Sequence, residues 1–264
     1  MISDSTIASQ RQAARITGLA YVFGILYVPV YLLTSAGLTV ANDPAATIAN
    51  VQANPVLFRV GILSTLVMFV SVFVLIAALY VTVAPVNRNL ALLGLVLRLP
   101  EATLGLVTLV FSLLVSQLAS GDAPWAGFGP QQVQALVQLA MQGGGAAGTV
   151  NLAFMGLGSL PFLYLFWTAR YAPRPLVGFG MLAYVLALAS AFTSILAPGS
   201  AVDGMQMVLV VPVMVFELVF GLWLAIRSID VPVPERLSDQ ETLPKGRAGH
   251  PAAHTSERPN VIAG

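Results

Sequence analysis

Four charged residues lie inside long apolar runs and are the best candidates for chemistry in this sequence: Arg59, Arg98, Glu101 and Glu217. A charge at the centre of a lone membrane helix costs roughly 2.5–3.5 kcal/mol on insertion scales, so we expect these side chains to point inward. Arg98 and Glu101 share one face of a helix, so at least Arg98 is predicted to pair with a carboxylate. The group could be a structural ion-pair network or a polar site for a proton or ligand. Arg59 could instead extend to the lipid headgroups.

Residue types that commonly carry catalysis are missing from these apolar runs. The two histidines, His250 and His254, lie in a polar C-terminal segment with Pro251 between them, so we predict no metal site and no cofactor. The sequence has no cysteine, and the run Gly143-Gly144-Gly145 lacks the Lys-Ser/Thr of a phosphate loop. We therefore predict no catalytic residue, and the sequence argues against an enzyme more than for one.

The elements that carry the four charges are long enough to cross a membrane. Apolar residues make up 57% of the chain and charged residues 9%, whereas soluble domains carry roughly 25% charged residues. About 20 apolar residues in a helix cross a hydrocarbon core of roughly 30 Å. Six spans are predicted: Ile16–Leu38, Val56–Val83, Leu90–Leu118, Ala146–Thr168, Leu176–Ala197 and Met205–Ile226. The predicted fold is an all-α polytopic transmembrane helical bundle, with the lipid bilayer as its partner and no nucleic-acid partner.

Basic residues flank these spans on one side only. They are Arg11, Arg15, Arg88, Arg170, Arg174 and Arg227, followed by the basic residues of the C-terminal segment. The opposite loops carry Asp43, Asp122 and Asp203 and no lysine or arginine. Because short cytoplasmic loops are enriched in Lys and Arg, we predict a multi-pass membrane protein with both termini in the cytoplasm.

The loops on the acidic side are predicted to contain two short helices. Asp43-Pro44 combines an N-cap with proline at the first helical position, which favours a helix near Ala45–Ala53. Gly129-Pro130 opens a second, uncharged amphipathic helix. It could lie along the outer membrane surface or simply cover the bundle. The glycines at 143–145 are interpreted as a flexible start to the fourth span.

The chain is predicted to have three parts. Residues 1–15 form a cytoplasmic N-terminal segment, residues 16–228 the transmembrane domain, and residues 229–264 a polar tail that should be disordered. Prolines interrupt four spans, and cutting the chain into three spans plus three pairs Pro29 with Pro161 and Pro100 with Pro212. This pairing suggests inverted structural repeats around a midplane site, but the sequence favours the simpler explanation that these prolines are ordinary helix kinks.

Several stretches resemble a bacterial multi-pass family catalogued as domain of unknown function 4386. They are Asn54-Pro55-Val56-Leu57-Phe58-Arg59, Pro85-Val86-Asn87-Arg88-Asn89-Leu90-Ala91-Leu92, Arg98-Leu99, Tyr171-Ala172-Pro173-Arg174-Pro175-Leu176, and Glu217 with Trp223. The resemblance extends from about Ala14 to Ile229 and implies a bacterial inner-membrane protein, without supplying an activity. Members often have Gly-Leu-His in the fourth span, where this chain has Gly156-Leu157-Gly158. A function that needs that histidine is not carried over.

Two classes of function remain open from the sequence. The first is a small-molecule binder or carrier with a polar intramembrane site at the four charged residues. The alternative is a non-transporting membrane scaffold or regulator whose C-terminal tail recruits a cytoplasmic partner. A polar cavity around Glu101 and Glu217 would favour the first, and a fully paired, dry bundle would favour the second.

Overall fold

The fold is all-helical, as predicted, in a computed structural model that describes residues 4–121, 127–198 and 201–229. The helices are α1 (Asp4–Tyr31), α2 (Pro44–Ala53), α3 (Pro55–Val83), α4 (Arg88–Ser120), α5 (Pro130–Ala169), α6 (Arg174–Leu196) and α7 (Ala201–Arg227). All but α2 are long and apolar enough to cross a membrane, which confirms six candidate spans. The predicted disordered tail, His250, His254 and Asp122 lie outside the described residues.

The short helix α2 begins where the sequence predicts it. The Asp43 side chain accepts a hydrogen bond from the Ala46 amide at 2.9 Å, and Pro44 occupies the first helical position. A side-chain acceptor at this point satisfies one of the free amides of the first turn. The local sequence is therefore sufficient to start this helix.

The second predicted outer helix is not a separate element. It starts at Pro130 as expected but continues unbroken through the three glycines to Ala169, so the flexible start predicted at 143–145 is wrong. Gly143 lies against the ring of Phe111, where a β-carbon would collide with the ring. Close packing against α4 thus fixes Gly143 within the continuous helix. Val137 and Ala140 are buried in a core cluster, so the early part of α5 packs against the bundle.

Prolines lie inside four of the long helices, namely Pro29, Pro100, Pro161 and Pro212. Helix α1, which contains Pro29, is followed directly by one wide π-helical turn at Leu32–Ala36. Thr34 in this turn donates a hydrogen bond to the carbonyl of Val30 at 2.6 Å. Turns of this type are rare and often mark functional sites.

The six long helices form a closed ring. Each of α1, α3, α4, α5, α6 and α7 packs against the next, and α7 packs back against α1. At this last contact Gly18 and Gly221 let the two backbones touch: a β-carbon on Gly18 would lie 2.5 Å from the Gly221 carbonyl oxygen. Small residues permit such close approach between membrane helices.

The predicted inverted repeat, which relates the first three spans to the last three, stays a prediction.

Hydrogen bonds tie four chain segments together at one end of the ring. Gln10 donates from its amide nitrogen to the Thr82 carbonyl at 3.0 Å and to the Tyr171 hydroxyl at 3.3 Å. The Ser228 hydroxyl donates to the carbonyl of Arg11 at 2.9 Å. The start of α1, the end of α3, the α5–α6 loop and the end of α7 therefore share one end, which we call the basic face because its residues include Arg11, Arg88, Arg170, Arg174 and Arg227.

Candidate functional site

Polar side chains from five helices meet at one level inside the ring. We call this set the central layer: Tyr21, Arg98, Glu101, Ser159, Tyr184 and Glu217. Arg98, Tyr184 and Glu217 each lie ten residues along their helices from Arg88, Arg174 and Arg227, respectively. At 1.5 Å per residue this places the layer about 15 Å from the basic face, near the middle of a hydrocarbon core of roughly 30 Å.

Arg98 is paired within its own helix. Its Nε lies 2.9 Å from Glu101 Oε2, and its Nη2 donates to Glu101 Oε1 at 3.0 Å. Its Nη1 donates to the hydroxyl of Ser159 on α5. Arg98 is 1% exposed and Glu101 5%, so the pairing predicted from their spacing is present and fully buried. One hydrogen bond between Nη2 and Oε1 and the close approach of Nε to Oε2 together form a buried ion pair.

A glycine makes room for Arg98. A β-carbon at Gly158 would lie 2.7 Å from the Arg98 amide nitrogen and would also meet its Cγ. The backbones of α4 and α5 are therefore in direct contact here. A histidine at this position would require Arg98 and its helix to move.

Glu217 enters the layer from α7 without a cation of its own. The Tyr184 hydroxyl of α6 donates to Glu217 Oε1 at 2.7 Å. Tyr21 of α1 is buried beside both residues and also interacts electrostatically with Arg98 and Glu101. The Glu217 side chain is half-buried. Across the described residues, no ion pair involves Glu217.

Arg59 does not join the central layer, and the prediction that it points inward is wrong. Its side chain is exposed, and it has no ion-pair partner among residues 4–121, 127–198 and 201–229. It lies in the first turns of α3, at the end of the bundle opposite the basic face. A long side chain at this depth can reach the headgroups, so no partner inside the bundle is required.

A cavity of about 400 Å³ lies in the half of the bundle away from the basic face. Thr108 in its wall is ten residues beyond Arg98 on α4, and Tyr31 is ten residues beyond Tyr21 on α1. Its polar lining consists of hydroxyl groups, from Tyr31, Ser35, Thr39, Thr65, Thr108 and Ser112. The remaining lining is apolar or glycine, and no charged side chain contributes.

Two features of the backbone create this space. The π-helical turn carries Ser35 into one wall, and Gly144, Gly145 and Gly148 of α5 form another. A β-carbon on Gly145 or Gly148 would meet no atom within 4 Å. One helical turn beyond Gly148, the Asn151 side chain donates to the backbone carbonyl of Glu101. The cavity therefore adjoins the central layer.

Sequence reasoning missed the uncharged members of both sites. Tyr21, Ser159 and Tyr184 are single polar residues within apolar helices, and their depth, ten or eleven residues from a basic loop, was the available signal. The described residues contain no group of three or more His, Cys, Asp or Glu side chains that could hold a metal ion. What the arrangement offers chemically is a carboxyl group at mid-membrane and a hydroxyl-lined cavity.

Comparison with family models gives one family, described as a domain of unknown function (DUF4386), which matches residues 16–228. Comparison with curated proteins gave no match, and comparison with solved structures gave none either. The matched range covers the central layer, the cavity, five of the six candidate spans in full and the first span from Ile16 onward. The chain belongs to the DUF4386 family.

Proposed function

We propose that this membrane protein binds a small uncharged molecule in the hydroxyl-lined cavity. The observation that carries the proposal is the cavity itself, whose volume of about 400 Å³ falls within the roughly 300–1,000 Å³ of typical ligand pockets. Such pockets are mostly apolar with a few placed polar groups, and this composition is also found here. The scaffold alternative depends on the C-terminal segment, which lies outside the described residues.

The lining favours an uncharged ligand. The Thr65 and Thr108 hydroxyls donate to the backbone carbonyls of Gly61 and Gly105. They can accept a hydrogen bond from a ligand, but they cannot neutralise an ion. Transferring an unpaired charge into a low-dielectric cavity is costly. A ligand with a few hydroxyl, carbonyl or ether oxygens on an apolar frame would match the walls, including the ring of Phe58 and the side chain of Met141.

The central layer supports this proposal because it lies between the cavity and the basic face. Arg98 and Glu101 neutralise each other, and Asn151 and Ser159 connect α4 to α5 on either side of the pair. A packed, hydrogen-bonded layer in this position would hinder movement of the ligand toward the basic face. The protein would therefore exchange its ligand with the opposite side of the membrane or with the lipid.

We also propose that the basic face points to the cytoplasm of the cell inner membrane. The arginines at this face satisfy the Lys/Arg bias of cytoplasmic loops. Arg174 and Arg227 lie over the rings of Trp167 and Trp223, at 5.6 and 5.7 Å from the ring centroids, which suits residues at an interface. Reporter fusions after Arg88 and Arg174 should be cytoplasmic and a fusion after Asn42 should not. The opposite pattern would reverse the orientation.

Cavity-filling variants test the ligand proposal. Leucine at Gly148 would place its side chain in open space, so the Gly148→Leu variant should fold and lose the ligand. Gly24 offers a matched control because a β-carbon there also meets no atom within 4 Å, and Gly24 does not line the cavity. Mass spectrometry of molecules that co-purify with each protein would reveal a species present with wild type and Gly24→Leu and depleted with Gly148→Leu. Equal recovery from all three would contradict the proposal.

A further inference from the structure

We propose that Glu217 is a proton-binding site at mid-membrane, which holds its proton in the resting bundle and is open to lipid-soluble reagents. This inference does not depend on the cavity ligand. It rests on the count of charges in the central layer, the geometry around Glu217 and the difference in burial between the two glutamates.

The central layer contains more acid than base. Arg98 is its single cation within the described residues, and Glu101 and Glu217 are its two carboxyl groups. Ionisation of both glutamates would leave one unbalanced negative charge about 15 Å inside the hydrocarbon. Unpaired charges at such depth cost several kcal/mol, and a carboxyl group can avoid this cost by keeping its proton.

Arg98 contacts Glu101 and not Glu217. Its Nε and Nη2 contact the two oxygens of Glu101, and its Nη1 donates to Ser159. The two nitrogens nearest Glu101 are therefore engaged on the same helix, and the third faces α5. Glu217 feels the Arg98 charge only through space. Of the two carboxyl groups, Glu217 is the one left to bind the proton.

The hydrogen bond from Tyr184 leaves a place for this proton. The Tyr184 hydroxyl donates to Oε1 of Glu217, so Oε1 serves as the carbonyl oxygen of a neutral acid and Oε2 carries the proton. The groups that face Glu217 from the surrounding helices are Tyr21 of α1, Arg98 and Glu101 of α4, and Tyr184 of α6. None of them is a free cation in the part of the chain described here.

The two glutamates differ in access. Glu101 is 5% exposed and both its oxygens contact Arg98, whereas Glu217 is half-buried and Oε2 has no hydrogen bond to a described residue. In the ring α7 packs mainly against α1 and α6, and its Phe220 also meets Phe166 of α5. Leu218, the next residue after Glu217, is exposed on the outer side of α7, so Glu217 lies at the edge of the exposed surface. We therefore expect a small apolar reagent dissolved in the bilayer to reach Glu217 and not Glu101.

Dicyclohexylcarbodiimide tests both properties because it reacts with protonated carboxyl groups in apolar surroundings. The acid adds across one C=N bond: the carboxyl proton goes to nitrogen and the carboxyl oxygen bonds to the central carbon. The acyl group then shifts from oxygen to nitrogen and leaves a stable N-acylurea. Nothing is oxidised, reduced or released, so the protein gains the mass of one reagent molecule.

The labelling experiment uses the full chain in lipid nanodiscs at neutral pH. Tandem mass spectrometry of the wild type should place the adduct on Glu217 and leave Glu101 unmodified, which requires no variant to fold. The Glu217→Gln variant should lose the adduct, while Tyr184→Phe, which keeps the carboxyl group, should retain it. An adduct on Glu101, or none on Glu217 in the folded protein, would overturn the proposal.

Infrared spectroscopy supplies a readout that does not depend on reagent access. The spectrum of wild type minus that of Glu217→Gln should contain the carbonyl stretch of a protonated carboxylic acid at neutral pH. Exchange into deuterated water should shift this band. If the difference spectrum instead shows only the paired stretches of a carboxylate, Glu217 is ionised and the proposal fails.

Discussion

The pairing of Arg98 with Glu101 leads to an asymmetric prediction for their replacements. Glu101→Leu leaves a buried guanidinium that cannot lose its proton and that keeps Ser159 as its close partner. Arg98→Met leaves a buried carboxyl group, which can become neutral by taking up a proton. The glutamate replacement should therefore be the more damaging of the two.

The magnitudes follow from the burial of both side chains. Removal of one partner from a buried ion pair costs about 3–5 kcal/mol, and Glu101→Leu should fall in this range because Arg98 is 1% exposed. Arg98→Met should cost about 1–3 kcal/mol, the penalty of an unsatisfied polar group. The double variant Arg98→Met/Glu101→Leu should lie within about 1 kcal/mol of wild type, since apolar replacement of a whole pair is often neutral.

Unfolding by sodium dodecyl sulfate in mixed micelles, followed by tryptophan fluorescence, measures these free energies. Arg59→Met is the matched control: it also removes an arginine from a membrane helix, but Arg59 is exposed and unpaired within the described residues. It should change the free energy of unfolding by no more than about 0.5 kcal/mol. If the double variant loses the sum of the two single losses, the side chains are not coupled and the reasoning fails.

Three further replacements test the packing and the helix ends. Gly18→Ala should destabilise the bundle by about 1–3 kcal/mol, because its β-carbon would collide with the α7 backbone, whereas Gly24→Ala should not; equal unfolding midpoints would contradict the α1–α7 contact. Gly121→Ala should lower the free energy of unfolding by about 1–2 kcal/mol, since Gly121 has a φ of 71°. Asparagine should be better tolerated at this position than alanine. An alanine variant more stable than wild type would show that this turn has a different conformation. Asp43→Ala should remove the N-cap of α2, lower the free energy of unfolding by about 0.5–2 kcal/mol and speed amide hydrogen exchange in α2. Unchanged exchange would mean that the cap does not stabilise this helix.

Hydropathy, capping and helical spacing are local properties, and the features that depend on them could be predicted. The six spans follow from the length of the apolar runs, α2 follows from Asp43 and Pro44, and the ion pair follows from the separation of Arg98 and Glu101. These features can be predicted without knowing which helices are neighbours.

Features that depend on neighbouring helices could not be predicted in this way. A run of three glycines favours flexibility by itself, but Gly143 is fixed by the ring of Phe111, which lies on another helix. In the sequence, Tyr184 is simply a tyrosine within an apolar run. Only the packing of α7 against α6 shows that it donates a hydrogen bond to Glu217. The cavity likewise needs the π-helical turn and the glycines of α5 to face each other, and no single segment encodes that.

The closed ring has a consequence for the order in which the protein is assembled during synthesis. Each neighbouring pair from α1 to α7 can pack as soon as the later helix leaves the insertion machinery, but the contact of α1 with α7 must wait for the last helix. Until then Gly18 and Tyr21, which meet α7 in the finished bundle, face lipid or a chaperone. The first helix made is thus among the last to be fully enclosed. A substitution on its α7-facing side would trap the nascent protein at the final step and leave the earlier helices inserted.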